Sequence, residues 1–187
     1  MEAPASLDVL LRRYGGETPP ASAAGAAVVI VLRNQSPDVD VLLIERASRA
    51  EDPASGQVGL PGGRVDPVDV TLRDTAMREL KEEVGLSASD AVGPPRFVSL
   101  EAAPRFGMTV GVFALGLHPA PPWVPVLDPH EVSSIFWLPL ERLDSRVRVA
   151  RETPAGSKEV DAVVFEGHIL WGFTLRVLSQ FKEHAER

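Results

Sequence analysis

The stretch that decides the fold is Arg78-Glu79-Leu80-Lys81-Glu82-Glu83-Val84-Gly85-Leu86. It completes a helix expected over 71–84, with Thr71 as N-cap, Asp74 in the first turn and Gly85 just past the end. Each helical residue advances about 100°, so with Glu79 at zero, Glu83 falls at about 40° and Glu82 at about −60°. Three carboxylates therefore share an arc of about 100°. Ala76, Met77, Leu80 and Val84 occupy a separate arc, between about 60° and 160°, and face a core. Like charges one turn apart repel. A divalent cation among them removes the repulsion, and hard cations such as Mg²⁺ take oxygen ligands that they commonly share with substrate phosphates. On its own, an acidic helix face is more simply read as solvated surface.

The preceding loop shifts that balance. Residues 56–69 contain four glycines and two prolines, including Leu60-Pro61-Gly62-Gly63-Arg64-Val65-Asp66. Glycines let a backbone approach a metal or phosphate closely, and this pair comes shortly before the carboxylate helix, so both can face one cleft.

Working outward, residues 26–33 are continuously apolar and β-branched, which suits a strand buried on both faces. Residues 39–45 return in a hairpin. Further strands are expected at 96–102, 108–117 and 133–138, a short helix at 139–144, a late hairpin from 147–152 and 160–165, and a closing helix at 170–184. Residues 6–14 read as a short amphipathic helix capped by Ser6, followed by a Gly/Pro/Ala-rich linker. Strands alternating with helices predict a mixed α/β domain, taken as 22–187 with 1–21 as an N-terminal helix and linker.

Composition narrows the function. The chain has 187 residues and no cysteine, which excludes disulfides, thiolate zinc sites and a cysteine nucleophile. A cytoplasmic location is the expectation. The net charge of −7 gives no general attraction to nucleic acid, so no nucleic-acid partner is expected. A polyanionic substrate then requires the field to be reversed locally, by metal cations or a few placed arginines. No apolar run approaches the length of a membrane span.

Together these residues resemble the Nudix hydrolase signature: Gly, five residues, Glu, seven residues, then Arg-Glu-aliphatic-x-Glu-Glu-x-Gly-aliphatic. Residues 78–86 match every specified position of the second half, and the resemblance covers roughly 22–184. The first half departs from it. Val70 stands where the upstream glutamate is expected, the loop is one residue longer, and Asp69 is the nearest acid, a substitute for a glutamate that often orients the Arg. The resemblance implies an α/β/α sandwich around a mixed sheet and metal-dependent hydrolysis of a diphosphate linked to another moiety, with Mg²⁺ or Mn²⁺ as cofactor. Carried over by position, Glu82 and Glu83 are the principal metal ligands, Glu79 is a ligand or the base that activates water, Arg78 positions a carboxylate, and a carbonyl of Gly62 or Gly63 completes the metal sphere.

Within that family the chain is most similar to the coenzyme A diphosphatase branch. Residues 61–69 read PGGRVDPVD, like that branch's Pro-Gly-Gly-x-x-Asp-x-x-Asp. Leu42–Ala47 and Gly56–Gly63 partly match its upstream motif, Glu131-Val132 with Leu138-Pro139-Leu140 matches its Glu-Val…Pro-Leu, and Leu170-Trp171-Gly172-Phe173-Thr174 resembles Ile-Trp-Gly-x-Thr. Ile44, Leu60 and Asp52 depart from it. The expected substrate is coenzyme A or a derivative, cleaved to phosphopantetheine and adenosine 3′,5′-bisphosphate, with Arg46 and Arg49 as the nearest cations for the 3′-phosphate. ADP-ribose or dinucleoside polyphosphates are the alternative substrates. A non-catalytic nucleotide-binding module is the alternative of a different class, disfavoured by the intact motif.

Glu131, just before a strand, is a further candidate base or ligand. Core packing is the plainer reading of Trp171 and Phe173, and core or homodimer packing of Trp123. The four histidines show no metal-ligand spacing.

Overall fold

The computed structural model describes residues 7–35, 38–48, 56–120, 122–153 and 156–186. Ser6, Arg49 and Asp52 lie outside them. The strands are β1 (Ala26–Gln35), β2 (Asp38–Arg46), β3 (Val58–Gly59), β4 (Gly62–Arg64), β5 (Arg96–Ala103), β6 (Met108–Gly116), β7 (Val132–Pro139), β8 (Arg146–Thr153), β9 (Gly156–Phe165) and β10 (His168–Trp171). The helices are α1 (Leu7–Arg12), α2 (Leu72–Val84) and α3 (Gly172–Glu186).

β1 is buried on both faces, as its continuous apolar run requires. Ala27, Val29 and Val31 pack with Leu72, Ala76, Leu80 and Val84 of α2. Ile30 and Leu32 point the other way, with Leu7, Leu10 and Leu11 of α1 and Leu178 and Phe181 of α3. This period-two alternation makes the α/β/α sandwich implied by the sequence. The sheet is mixed: β1 runs parallel to β6 and antiparallel to β2, in the order β3-β2-β1-β6-β5, with β7 on β2 and β4 on β1. β8, β9 and β10 form a second, antiparallel sheet. α1 shares the core of the main domain, and Tyr14 stacks on Phe181, donating its hydroxyl to that residue's carbonyl at 3.1 Å.

The main sheet splits where the cleft opens. β1 and β2 pair only near their hairpin, from Leu32↔Val41 to Gln35↔Asp38. At the start of β1 its partner is β4, with Ala26 opposite Arg64 and Val28 opposite Gly62. At the end of β2 the partner is β3. The glycine-rich loop is thus clamped between diverging strands, and the Val29 N–H donates to Pro61 O at 2.9 Å.

Three expected elements differ in detail. Residues 56–69 hold two short strands as well as loop, because the diverging strands leave backbone groups for them to pair. The helix expected at 139–144 is a 3₁₀ turn (Leu140–Asp144). The closing helix starts at Gly172, since Leu170 and Trp171 pair with Val163 and Ala162 of β9 instead. Gly172 sits at φ +67°, a left-handed conformation that favours glycine at the strand–helix corner. Among the described residues no helix is long and apolar enough to cross a membrane.

Candidate active site

α2 is fixed at both ends. Thr71 and Asp74 form a reciprocal capping box, and Gly85, at φ +71°, closes the helix by donating to Leu80 and Lys81 carbonyls. With its apolar stripe on the sheet, the next face turns Glu79 and Glu83 towards β4, where both are buried. Glu83 Oε2 accepts from the Gly62 N–H at 2.8 Å. Glu131 enters from the loop before β7. That loop is tied to the end of α2, Asp128 N donating to Glu83 O at 3.1 Å, and to β2, Ala47 N donating to Glu131 O at 2.9 Å. Carboxylate oxygens of Glu79, Glu83 and Glu131 lie within 4.8 Å of one another.

Glycine is required at both positions of the pair. Gly62 adopts φ +141°, and a Cβ there would overlap the Ala27 carbonyl. A Cβ at Gly63 would overlap the Glu79 carboxyl. The two glycines allow strand and carboxylates to meet.

Burial pushes the Glu83 carboxyl up to about 8, more strongly than the Gly62 N–H holds it down, and the neighbouring Glu79 and Glu131 charges add to the rise. Glu79 is also raised, chiefly by burial and against the pull of Arg78. Three crowded carboxylates offering only oxygen donors fit a hard divalent cation, whose charge relieves both burial and repulsion. The guanidinium of Arg46 stands 4.0 Å from Glu83 Oε1.

Arg78 organises the other side. Its Nε and Nη2 donate to Asp69 at 3.3 and 3.0 Å, its Nη1 to Glu79 at 2.8 Å and Glu82 at 3.0 Å, and its Nη2 to the Arg64 carbonyl at 2.9 Å. Asp69 also accepts from the Thr75 hydroxyl and the Asp66 N–H. The hydrogen bond from Arg78, first among these contacts, holds the Asp69 carboxyl down to about 2, and the surrounding acids raise Arg78. Asp69 therefore occupies the orienting position that Val70 cannot fill.

The sequence grouped Glu79, Glu82 and Glu83. The structure brings Glu79 and Glu83 together with Glu131, while the Glu82 side chain is 53% exposed and bonded to Arg78. The arc of about 100° spans both a buried edge and an open one. Arg46, Gly62 and Gly63 line a cleft of about 730 Å³ with Glu79, Glu83 and Glu131. Trp123 lines a separate cavity of about 430 Å³ and meets Trp137 edge-on at 6.5 Å.

The far wall of the cleft escaped the residue-by-residue reading of the sequence. It includes Arg105 and Phe106 from the β5–β6 corner, Met108, and Phe173, Thr174 and Arg176 from the start of α3, with Arg64 at the near rim. Arg105 and Arg176 lie over the rings of Phe106 and Phe173, at 6.0 and 5.4 Å from their centroids. Gly63-Arg64 and Gly172–Thr174 sit inside motifs visible in the sequence. Arg105 and Phe106 carry no local signal, since only the fold of the hairpin brings them to the cleft.

Residues 23–160 match the family model described as NUDIX domain. A Salmonella paratyphi B protein named "Uncharacterized Nudix hydrolase NudL" is 31% identical over 166 residues, covering 82% of this chain and 79% of that protein. Among solved structures, a MutT/nudix family protein from Enterococcus faecalis superposes with a TM-score of 0.58 at 18% identity, over 98% of this chain and 71% of that one. The NUDIX domain of Shewanella oneidensis NrtR, crystallised with ADP ribose, gives a TM-score of 0.54 at 18% identity, over 84% and 85%. At these identities the two structures show likeness of fold.

Proposed function

This chain belongs to the Nudix domain family and is a Nudix hydrolase of nucleoside diphosphate derivatives; from that premise we propose that its substrate is coenzyme A or a coenzyme A derivative, cleaved to phosphopantetheine and adenosine 3′,5′-bisphosphate. The observation that carries this reading is the charge of the cleft. In a chain of net charge −7, Arg46, Arg64, Arg105 and Arg176 all line the cavity that holds the carboxylates. Arg46, beside Glu83, suits the diphosphate, and Arg64 and Arg105 provide cations for a further phosphate, whereas Arg176 is held at 2.6 Å by both the Glu101 carboxylate and the Ala102 carbonyl.

Nudix hydrolases generally use divalent metals, and here Glu79 and Glu83 would hold Mg²⁺ or Mn²⁺, with the Glu131 carboxylate near enough to serve as a further ligand or as the base. When bound, such an ion neutralises diphosphate charge and lowers the pKa of water. Gly62 fixes Glu83 through its N–H, and Asp69 fixes Arg78, which in turn fixes Glu79. Glu82 steadies Arg78 from the solvent side, so its own use as a ligand requires that bond to open. Two groups can take the proton of the attacking water, Glu79 and Glu131. Glu79 Oε1 already accepts from Arg78, whereas the Glu131 carboxylate has no hydrogen bond among the described residues, which favours Glu131 as the base.

The test compares kcat/KM for coenzyme A, dephospho-coenzyme A, ADP-ribose and a dinucleoside polyphosphate, with products identified by mass. A clear preference for coenzyme A over dephospho-coenzyme A is expected. Equal rates on those two remove the case for a 3′-phosphate contact, and faster ADP-ribose hydrolysis reassigns the substrate.

A further inference from the structure

The closing helix begins inside the catalytic cleft, where Trp171, Gly172, Phe173, Thr174 and Arg176 form part of the wall. α3 is 15 residues long. The first N–H groups of a helix have no intrahelical acceptor and carry the positive end of its dipole, so they favour an anion.

Thr174 supplies an independent observation. It is only 8% exposed, it lines the cleft, and its hydroxyl makes no hydrogen bond among the described residues. The oxygen itself is not sealed in the core, so it opens onto the cleft with its donor unused. Elsewhere on the same helix, Ser179 finds a partner by donating to Leu175 O at 2.7 Å, the common solution for such side chains. That solution is closed to Thr174, because the residue four before it, Leu170, lies in β10 and not in the helix. Opposite it stands Gly59, where a Cβ would come within 4.0 Å of Thr174 Oγ1. Glycine at 59 thus leaves the hydroxyl open towards the cavity. The unused donor and the first-turn amides share the wall of the cleft that holds the carboxylate group, beside an Arg176 guanidinium that Glu101 and the Ala102 carbonyl hold at 2.6 Å.

We propose that Gly172–Thr174 form a phosphate-binding subsite, in which the Thr174 hydroxyl and the first-turn amides donate to phosphoryl oxygens of the substrate nucleotide. This deepens the function proposed above and rests on it only in taking the bound molecule to be a nucleotide phosphate. It also gives the Trp171–Thr174 motif a purpose: Trp171 ends the strand, Gly172 turns the corner, and Thr174 arrives at the cleft.

Adenosine 3′,5′-bisphosphate and AMP are titrated calorimetrically into the wild-type protein and into Thr174→Val, Thr174→Ser and Gly59→Ala. Valine keeps the shape of threonine and removes its hydroxyl, so binding of the bisphosphate weakens about ten-fold, the worth of one hydrogen bond to a charged acceptor. Serine retains the affinity. The methyl of Gly59→Ala fits at 4.0 Å from Thr174 Oγ1 and narrows the approach to it, so binding weakens by a smaller factor. In turnover KM rises by the corresponding factor, with kcat within about two-fold. A loss confined to the bisphosphate assigns the subsite to the 3′-phosphate, and an equal loss for AMP assigns it to the 5′-phosphate. Unchanged affinity for both in Thr174→Val overturns the proposal. The native protein gives a second reading: amide resonances of Gly172, Phe173 and Thr174 shift on adding the bisphosphate, and their invariance at saturation overturns the subsite whatever the variants do. Should coenzyme A not be hydrolysed while these amides move with ADP-ribose, the subsite stands and the substrate assignment falls.

Discussion

The two ends of the cleft are built on opposite principles. At the carboxylate end nearly every group is tied down. Arg78 reaches three acids and a carbonyl, Gly62 bonds Glu83, and neither loop glycine has room for a methyl group. At the far wall Arg176 is bonded tightly, to Glu101 and the Ala102 carbonyl, while Arg105 and Phe106 are exposed, a Cβ on Gly172 would meet nothing within 4 Å, and the Thr174 hydroxyl makes no hydrogen bond among the described residues. The contrast separates two tasks. Groups that must hold charge at fixed positions are preorganised, because stabilisation aimed at developing charge is lost if the donors have to move. Groups that choose among substrates need surface, donors and space. Substitutions at the first end should therefore act on kcat, and those at the second on KM.

The largest effect is expected at Glu83. Glu83→Gln removes a charged ligand without changing shape, and hydrolysis should fall by about 10³-fold or more, since metal charge stabilisation amounts to several kcal/mol. Stability should move in the opposite direction. The Glu83 carboxyl, at about 8 in the folded metal-free protein, lies above its ordinary 4.5. Its contribution to stability is fully present below about pH 4.5 and is lost as pH rises through 8. The melting temperature of the metal-free protein should fall across that window, the slope should flatten in Glu83→Gln, and saturating Mg²⁺ should restore stability at the alkaline end. A variant that loses stability at pH 8 yet retains its activity would make Glu83 a structural residue and erase the contrast between the two ends.

Asp69 tests how far preorganisation extends beyond the ligands. Asp69→Asn keeps the size of the side chain but removes the charge that pairs with Arg78. Arg78 would then lean towards Glu79 and Glu82, lowering kcat about ten- to a hundred-fold while KM changes little. The Asp69 carboxyl lies at about 2, below its ordinary 3.8, so its stabilising contribution is present above pH 3.8 and is lost as pH falls through 2. The wild-type protein should therefore outlast Asp69→Asn near neutrality, and the two should converge in acid. A shift in KM alone would place Asp69 among the substrate contacts instead.

The sequence exposed these regions unequally. The carboxylate helix, its caps and the strand at 26–33 were legible because local periodicity and capping chemistry determine them. That Asp69 substitutes for the missing glutamate was legible as spacing, but the four hydrogen bonds its carboxylate accepts from Arg78, Thr75 and Asp66 were not. The replacement of Glu82 by Glu131 in the buried carboxylate group depends on which edge of the helix meets β4, and that follows from the divergence of β1 and β2. Leu170 and Trp171 read as helix because they suit either period, and only pairing with β9 decides between them. The far wall was least legible. Arg105 and Phe106 are distant in sequence from α3 and meet it only through the fold.

The smallest expected effect belongs to Arg64, at the border between the two ends. Its backbone is part of the fixed region: it pairs with Ala26, and its carbonyl accepts from Arg78 at 2.9 Å. Its side chain is exposed, lines the cleft, and makes no ion pair among the described residues. Arg64→Ala preserves the first role and deletes the second, so it divides the residue along the line that divides the cleft. A cation in water attracts an incoming polyanion only through a high dielectric, and salt screens it further. KM should rise a few-fold at low ionic strength, the difference should shrink towards unity as salt is added, and kcat should stay within about two-fold. A salt-independent loss of kcat would mean that the Arg64 side chain works with Arg78 on the carboxylates, and that the boundary between fixed and open groups lies further out along the cleft.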